Sequence, residues 1–156
     1  MTKGKPANDA CITDIHFVDA DKVQCERMKA EQPQWAKYMC IENGFSVMAL
    51  HGDRAVGVIA VKWQELPAPL PPTREGYINI IEVVRAYRRK GIARRLIELS
   101  LAKCRAEGVT QMRTWSTNDK TDAIPMWKAL GFALCPVTHS MWRTEVTGYF
   151  VAKRVD

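Results

Sequence analysis

The segment from Tyr77 to Leu101 constrains the fold of this chain more than any other stretch of the sequence. Its first part, Tyr77 to Val84, is rich in β-branched and apolar residues, which is typical of a buried strand. Its last part, from Ile92 onward, repeats apolar residues at intervals of three and four, which predicts a helix with one buried face. Since only a short turn separates these parts, we predict a strand, a turn and a helix in direct succession.

The turn between the strand and the helix is crowded with positive charge. Its basic residues and those of the first helical turn are Arg85, Arg88, Arg89, Lys90, Arg94 and Arg95. The first N–H groups of a helix lack partners within the helix, and the helix dipole makes that end positive. Gly91 has no side chain, so a ligand can approach the backbone closely there. The pattern favours a phosphate-binding site over the plainer interpretation, a basic helix start kept for solubility.

Two motifs of the chain resemble signatures of the GNAT N-acetyltransferase superfamily. Residues Arg88 to Ala93 match its pattern (Arg or Gln)-x-x-Gly-x-(Gly or Ala). Ala123, Trp127 and Gly131-Phe132 have the spacing of its Ala-x-x-x-Tyr-x-x-x-Gly-Phe pattern, although packing along one helical face explains these residues too. The resemblance runs from Tyr77 to Phe132, with both motifs in the family's order.

The rest of the sequence predicts a mixed α/β fold around this centre. Strands are predicted at 12–18, 45–51, 55–64, 77–84, 111–115, 132–137 and 148–154, and helices at 21–29, 34–41, 92–107 and 121–130. We expect an α/β fold with an α+β-like order, a mixed, mostly antiparallel sheet of about six or seven strands, and helices on both faces. The resemblance implies the GNAT fold, in which the parallel strands at the centre splay apart.

Composition narrows the class of protein further. The 156 residues, 47% of them hydrophobic, suit a single domain over 10–156 after a flexible tail over 1–9. The tail has no apolar core of a secretory signal, and we find no apolar span long enough for a membrane helix. Five cysteines and three histidines show no zinc spacing, so we expect no metal and reduced thiols in the cytoplasm. The net charge of +6 points to an anionic partner, a nucleotide cofactor or nucleic acid.

The resemblance implies an N-acetyltransferase that moves the acetyl group of the cosubstrate acetyl-CoA to a primary amine by direct attack in a ternary complex. In the family, the basic turn holds the pyrophosphate and the pantetheine arm lies between the splayed strands. The cofactor-binding residues that this implies are Val83, Val84, Arg85, Arg88, Arg89, Lys90, Gly91, Ile92, Ala93, Arg94, Asn118 and Trp127. The amine would be a small molecule or a peptide, and a homodimer is compatible with the resemblance.

Catalytic groups are expected on the strand before the turn. The backbone N–H of Val83 or Val84 would polarise the thioester carbonyl. Asn79 would orient a water molecule, and Glu82 would act as the base because partial burial raises the pKa of a carboxyl group. Strand alternation puts Glu82 on the face opposite to Tyr77 and Asn79 unless a β-bulge intervenes. An ordinary ion pair between Glu82 and a nearby arginine is an equal alternative.

Three positions depart from the family pattern. Trp127 replaces the Tyr that is the family's proposed general acid, and an indole N–H donates a hydrogen bond but is not a practical acid. Arg85 stands where the family often has Pro, and Lys120 stands at the usual Asn position, with Asn118 nearby. A non-catalytic acyl-CoA-binding or sensing module of the same fold is therefore the alternative. A nucleic-acid binder is weaker, because aromatic residues do not interleave with the arginines.

Substrate recognition is expected from the segments that least resemble the family. Their aromatic residues are Trp35, Tyr38, Trp63, His139 and Trp142. Aromatic rings can frame an amine or a planar group, but they are more often ordinary core and rim residues.

Overall fold

The computed structural model of the protein describes residues 11–156, except the side chain of Met141, so the tail expected over 1–9 lies outside the described residues. The elements in chain order are β1 (Ile15–Asp19), α1 (Lys22–Glu31), α2 (Pro33–Ala36), β2 (Gly44–His51), β3 (Arg54–Glu65), β4 (Arg74–Val83), α3 (Ile92–Ala106), β5 (Gln111–Thr117), α4 (Ala123–Ala129), β6 (Ala133–Met141) and β7 (Thr144–Arg154). Short 3-10 turns over Ile12–Asp14 and Arg85–Tyr87 precede β1 and α3.

The seven strands of the described residues form one sheet in the order β1-β2-β3-β4-β5-β7-β6. Neighbouring strands pair antiparallel except for β4 and β5, which run parallel. A parallel pair needs a crossover connection, and α3 is the helix of that crossover. The predicted mixed, mostly antiparallel sheet is therefore confirmed.

Two hydrophobic cores lie on opposite faces of this sheet. Val47 and Met48 are neighbours on β2 but belong to different cores, since successive strand residues point to opposite faces. The larger core includes the buried face of α3, with Leu96 and Ile97 fully buried. The smaller core packs Met28 of α1 and residues of α2 against the other face. Helices thus cover both faces, as the sequence predicted.

Asp21 caps the start of α1. The N–H of Gln24 donates to the Asp21 carboxylate at 2.9 Å, and the N–H of Asp21 donates to the Gln24 side chain at 2.8 Å. The helix buries Met28 against the sheet, whereas Val23 is 75% exposed.

A buried charged network closes the end of the sheet where β4 and β5 are paired. Glu75 on β4 is fully buried, and the Arg113 guanidinium of β5 donates to its carboxylate at 2.6, 3.0 and 3.1 Å. The side-chain amides of Gln64 and Gln111 donate to the same carboxylate at 3.2 and 2.7 Å. The hydrogen bonds to Glu75 raise the pKa of Arg113. A buried carboxylate is tolerated here because its oxygens are satisfied on several sides.

Replacing Glu75 with Gln should destabilise the protein, because it leaves the Arg113 guanidinium without its counter-charge. Loss of one partner from a buried pair costs about 3–5 kcal/mol. We expect the lower end of that range, since the Arg113 side chain keeps 24% exposure. Urea unfolding followed by circular dichroism would measure the change.

The control is Glu98→Gln, which removes the same charge from an exposed pair with Arg95 at 3.5 Å. That variant should lose at most about 1 kcal/mol. Equal losses in the two variants would contradict a structural role for the buried network.

Candidate active site

A β-bulge interrupts β4 near its middle. Ile78 pairs with Val61 of β3, but Ile80 pairs with the adjacent residue Ala60. Asn79 is therefore an extra residue without a partner on β3. Such an insertion reverses the alternation of side chains beyond it and bends the strand.

The bulge changes the face on which Glu82 lies. Before it, Ile78 packs into the α3 core, and after it Ile81 packs there, although three positions separate them. Ile80 packs into the α1 core instead. Glu82 follows Ile81 and therefore lies on the α1 side, the face of Tyr77. The β-bulge that the role of Glu82 as a base requires is therefore present.

Between β4 and β5 the sheet opens into a gap. Their pairing consists of two residue pairs, the last of which is Tyr77 with Arg113. One more link follows, from the Thr114 hydroxyl to the Ile78 carbonyl at 2.9 Å. From residue 79 to residue 83, β4 has no paired partner on β5. The predicted splay of the central parallel strands is thus confirmed.

The backbone of Val83 points into this gap. The N–H of the next residue, Val84, donates to the Val56 carbonyl of β3 at 2.9 Å. Because adjacent residues of an antiparallel strand direct their N–H and C=O groups to opposite sides, those of Val83 point away from β3. The Val83 carbonyl accordingly accepts a hydrogen bond from Arg88 Nε at 3.0 Å. Of the two N–H groups considered from sequence, that of Val84 is engaged within the sheet.

Arg88 links the two walls of the gap at its open end. Its guanidinium lies 4.0 Å from the Glu82 carboxylate on β4 and 4.0 Å from the Asp122 carboxylate just before α4. The Glu82 side chain is half exposed, so this pair is a weak one. The ion pair that was the alternative role for Glu82 is therefore present. The Glu82 carboxylate nevertheless remains accessible to solvent.

The turn after β4 presents the start of α3. Arg89 has a φ of 61° and Gly91 a φ of 82°, both in the left-handed region. Gly91 is the residue before the first helical turn, and among the described residues no side chain caps this end. A Cβ at Gly91 would lie 3.2 Å from the Ile12 side chain. The first N–H groups of this long helix are thus available to an anion.

Tyr87 anchors the same turn to β2. Its ring is buried, and its hydroxyl lies 2.8 Å from Nδ1 of His51. The two rings also meet edge to face, with centroids 5.6 Å apart. The hydrogen bond holds the segment that precedes the basic turn against the sheet.

Trp127 carries an unsatisfied donor. Its side chain is 2% exposed and packs edge-on against Phe132, with ring centroids 4.9 Å apart. Among the described residues, its Nε1 is a buried side-chain nitrogen without a hydrogen-bond partner. An unmade bond to a buried donor costs about 1–3 kcal/mol, so such a group suggests a missing ligand.

Aromatic rings line the sheet on the face opposite α3. Trp115 of β5 lies 4.8 Å from His139 and 5.1 Å from Phe150, measured between ring centroids. The indole extends over Gly148, where a Cβ would lie only 2.8 Å from it. Gly148 of β7 pairs with Thr117, the last residue of β5. The Trp115 ring therefore extends toward the open end of the gap. We call Trp115, His139 and Phe150 the aromatic wall.

His139 was predicted from the sequence, whereas Trp115 and Phe150 were not. The alternation of side chains along the predicted strand puts Trp115 on the face opposite to Met112, and this signal was present in the sequence. Phe150 lies beside Trp115 because β7 pairs with β5. This pairing joins segments that are distant in the chain, so it is set by the tertiary structure.

The remaining predicted cofactor residues lie around the end of the gap. Ile92, Ala93 and Arg94 form the first turn of α3, and Ile92 is buried in the core. Asn118 is exposed in the loop after β5, where its N–H donates to the Thr147 carbonyl at 3.1 Å. The two sequence motifs, which are distant in the chain, thus meet at one end of the sheet.

No helix within residues 11–156 is long and apolar enough to cross a membrane. His, Cys, Asp and Glu side chains of these residues form no group of three or more that could hold a metal ion. All five cysteines are free thiols.

Comparison with known proteins identifies the family. The model of the acetyltransferase (GNAT) family matches residues 12–132. The chain therefore belongs to the acetyltransferase (GNAT) family, which confirms the resemblance found from its motifs. The fold is accordingly that of the acetyltransferase class of enzymes.

Individual relatives agree with this assignment. N-alpha-acetyltransferase 30 of Schizosaccharomyces pombe is 32% identical over 88 residues, which are 56% of this chain and 57% of that protein. The match thus spans little more than half the length of this curated relative. The structure of Arabidopsis thaliana NAA60 in complex with acetyl-CoA has a TM-score of 0.73 at 15% identity. That match covers 90% of this chain and 99% of the NAA60 chain. The structure of the NatC complex bound to Gag peptide and CoA has a TM-score of 0.67 at 16% identity. That match covers 90% of this chain and 98% of the chain in the complex.

Tyr87→Phe should lower stability by about 0.5–1.5 kcal/mol, because it removes the hydroxyl that bonds to His51. Chemical denaturation of both proteins would measure the difference. Tyr38→Phe serves as the control, since the Tyr38 ring is 43% exposed. The Tyr38→Phe variant should lose no more than about 0.5 kcal/mol of its free energy of unfolding. A Tyr87→Phe variant as stable as the control would mean that the bond to His51 does not anchor the turn.

Proposed function

We propose that this chain is an N-acetyltransferase that transfers the acetyl group of acetyl-CoA directly to a primary amine. The observation that carries the proposal is the gap between β4 and β5, which opens beside the uncapped start of α3. Bound acetyl-CoA supplies an acetyl group already activated as a thioester. The residues of the chain bind it, polarise it and remove the proton of the amine.

The basic turn holds the pyrophosphate. The backbone N–H groups at Gly91 and the first turn of α3 form the cradle, and the side chains of Arg89, Lys90 and Arg94 add charge. Arg85 either adds a further contact or points to water. Arg88 has a different part, because its guanidinium already bonds to the Val83 carbonyl and keeps the two walls of the gap in register.

The pantetheine arm fits the gap between β4 and the segment from Thr117 to Asn118. The site suits such a ligand, since β4 has no paired partner on β5 beyond Tyr77 and no side chain of the described residues caps the start of α3. The N–H of Val83 is the donor aimed at the thioester carbonyl, where negative charge develops during attack. Val84 supports it by fixing the strand to β3.

The amine enters from the face opposite α3. Glu82 lies on that face and accepts the proton, either directly or through a water molecule that Asn79 orients. Asn79 is itself held by a long hydrogen bond to the Tyr38 carbonyl, at 3.4 Å. The bulge is therefore what places the base and the water-orienting amide on the acceptor's side of the sheet.

The aromatic wall borders this entrance and would contact the group attached to the amine. Either a small-molecule amine or the end of a peptide would satisfy the chemistry. We expect the enzyme to act in the cytoplasm, in keeping with its five free cysteines.

Acetyl-CoA should raise the unfolding temperature of the protein. A ligand at one hundred times its Kd stabilises the folded state by about 2.7 kcal/mol. Arg89→Glu should weaken binding by about tenfold or more, because it turns a charge-assisted contact into repulsion. Lys22→Glu, the same charge change at the exposed start of α1, should bind normally. Absence of any thermal shift with acetyl-CoA or CoA would overturn the proposal.

Glu82→Gln should lower kcat about 100-fold to 10,000-fold while leaving acetyl-CoA affinity unchanged, since a lost general base acts on the chemical step. Release of free thiol with a panel of small amines and peptides measures the rate. Asp122→Asn is the matched control, because it removes the other carboxylate that lies 4.0 Å from Arg88.

If both variants lose the same activity, Glu82 acts through Arg88 and not as the base. If the unaltered protein binds acetyl-CoA but releases thiol with no class of amine, the non-catalytic acyl-CoA-binding module is the better assignment.

A further inference from the structure

We infer that the acceptor of this chain is a primary amine joined by a short saturated link to a flat apolar ring, without a second positive charge, and that Trp115 selects it. Such an amine is either a free small molecule or the start of a peptide whose first residue has an aromatic side chain. The inference rests on the proposed function, because it names the substrate class that the same gap accepts.

Trp115 borders the gap on the face from which the amine enters. The last residue pair between β4 and β5 joins Tyr77 and Arg113. Trp115 lies two residues further along β5, so it is the first side chain of that strand beyond the pairing on the face of Tyr77. Its indole leans over Gly148 of β7, where a Cβ would lie 2.8 Å from the ring. The ring therefore borders the gap without filling it.

The aromatic wall is partly exposed because the hydrophobic core of its face ends at β4. The core beneath α1 and α2 takes its strand residues from β1, β2, β3 and β4. Trp115, His139 and Phe150 keep partial exposure on the rest of that face. Their ring centroids lie 4.8 to 6.1 Å apart, so the rings hold one another in place. A fixed apolar surface beside the gap favours an acceptor that can cover it with an apolar group.

A flat ring gains more from this wall than a saturated group of the same size. Aromatic rings attract one another in offset or edge-on pairs, in addition to the effect of the area that they bury. The indole of Trp115 is the ring closest to the gap, since β5 borders it and the strands of Phe150 and His139 follow further out in the sheet. Trp115 is therefore the residue that sets the preference for a flat group.

A second positive charge on the acceptor is disfavoured at the closed end of the gap. The Arg113 guanidinium lies 5.5 Å from the centroid of the Tyr77 ring and 5.6 Å from that of Phe150. A cation at such a distance interacts with the ring, so these rings already have one. The Glu75 carboxylate that pairs with Arg113 is fully buried, whereas the Arg113 side chain keeps 24% exposure. The group that reaches this face is thus the cation, which repels a polyamine.

Two matched pairs of amines test the substrate class on the unaltered protein. The first pair is phenethylamine and cyclohexylethylamine, which share a carbon skeleton and differ in flatness. The second pair is hexylamine and hexamethylenediamine, which differ by one ammonium group. Release of free thiol from acetyl-CoA gives kcat/KM for each amine. We expect phenethylamine to be favoured about threefold or more over its partner. Hexylamine should be favoured about tenfold or more over the diamine.

Trp115→Leu should abolish the preference for phenethylamine over cyclohexylethylamine while acetyl-CoA affinity stays unchanged. A ratio measured on one protein does not move with a general loss of stability. The matched control is Trp63→Leu, because Trp63 packs against the larger core on the α3 face, with its centroid 5.5 Å from that of Phe45. The control should keep the preference. If Trp115→Leu does not fold, Phe150→Leu removes the ring that packs edge-on against Trp115 and should reduce the same ratio.

Short peptides that begin with Phe or with Gly separate the two sources of the amine. A higher kcat/KM for the Phe peptide than for phenethylamine assigns a peptide acceptor, and the reverse assigns a free small molecule. Equal kcat/KM within either pair of amines, or a preference for phenethylamine that survives Trp115→Leu, would overturn the inference and leave the acetyltransferase activity intact. Release of thiol with no amine at all would overturn the proposed function as well.

Discussion

The end of pairing between β4 and β5 after Tyr77 is the constraint on which the rest of the structure depends. Below that point, the buried Glu75–Arg113 network holds the two strands together. Above it, the bulge at Asn79 bends β4, and the Arg88 guanidinium lies between the Glu82 and Asp122 carboxylates at the opening. A sheet opened at one end and locked at the other exposes strand backbone in its interior, where it can bind an extended ligand. In the proposed function, the N–H of Val83 in the gap gains its partner from that ligand.

The donors that face the end of the gap share a physical character. The N–H of Val83 and the first N–H groups of α3 are neutral dipoles held by the fold. Fixed dipoles stabilise a developing negative charge without reorganising during the reaction. In the proposed function, the arginines and the lysine of the turn add charge to the pyrophosphate cradle that the first N–H groups of α3 form, whereas the N–H of Val83 faces the charge that develops in the reaction.

The two faces of the sheet have different roles in this arrangement. The α3 face holds the larger core and the helix start that suits an anion, whereas the opposite face carries Glu82 and the aromatic wall. A single extra residue in β4 decides that Glu82 belongs to the second face. Membership of the acetyltransferase (GNAT) family agrees with this division, since a transferase must bring two substrates to one point from separate directions.

The sequence by itself determined the elements whose signals are local. The apolar, β-branched run before Arg85, the basic turn with Gly91 and the helical spacing after it depend on neighbouring residues only, and they appear as predicted. Tertiary structure decided the bulge at Asn79, the direction of the Val83 N–H into the gap while that of Val84 bonds to β3, and the aromatic wall. Each of these depends on which residue of one strand lies opposite which residue of another, and pairing between segments far apart in the chain is set by the packing of the whole sheet.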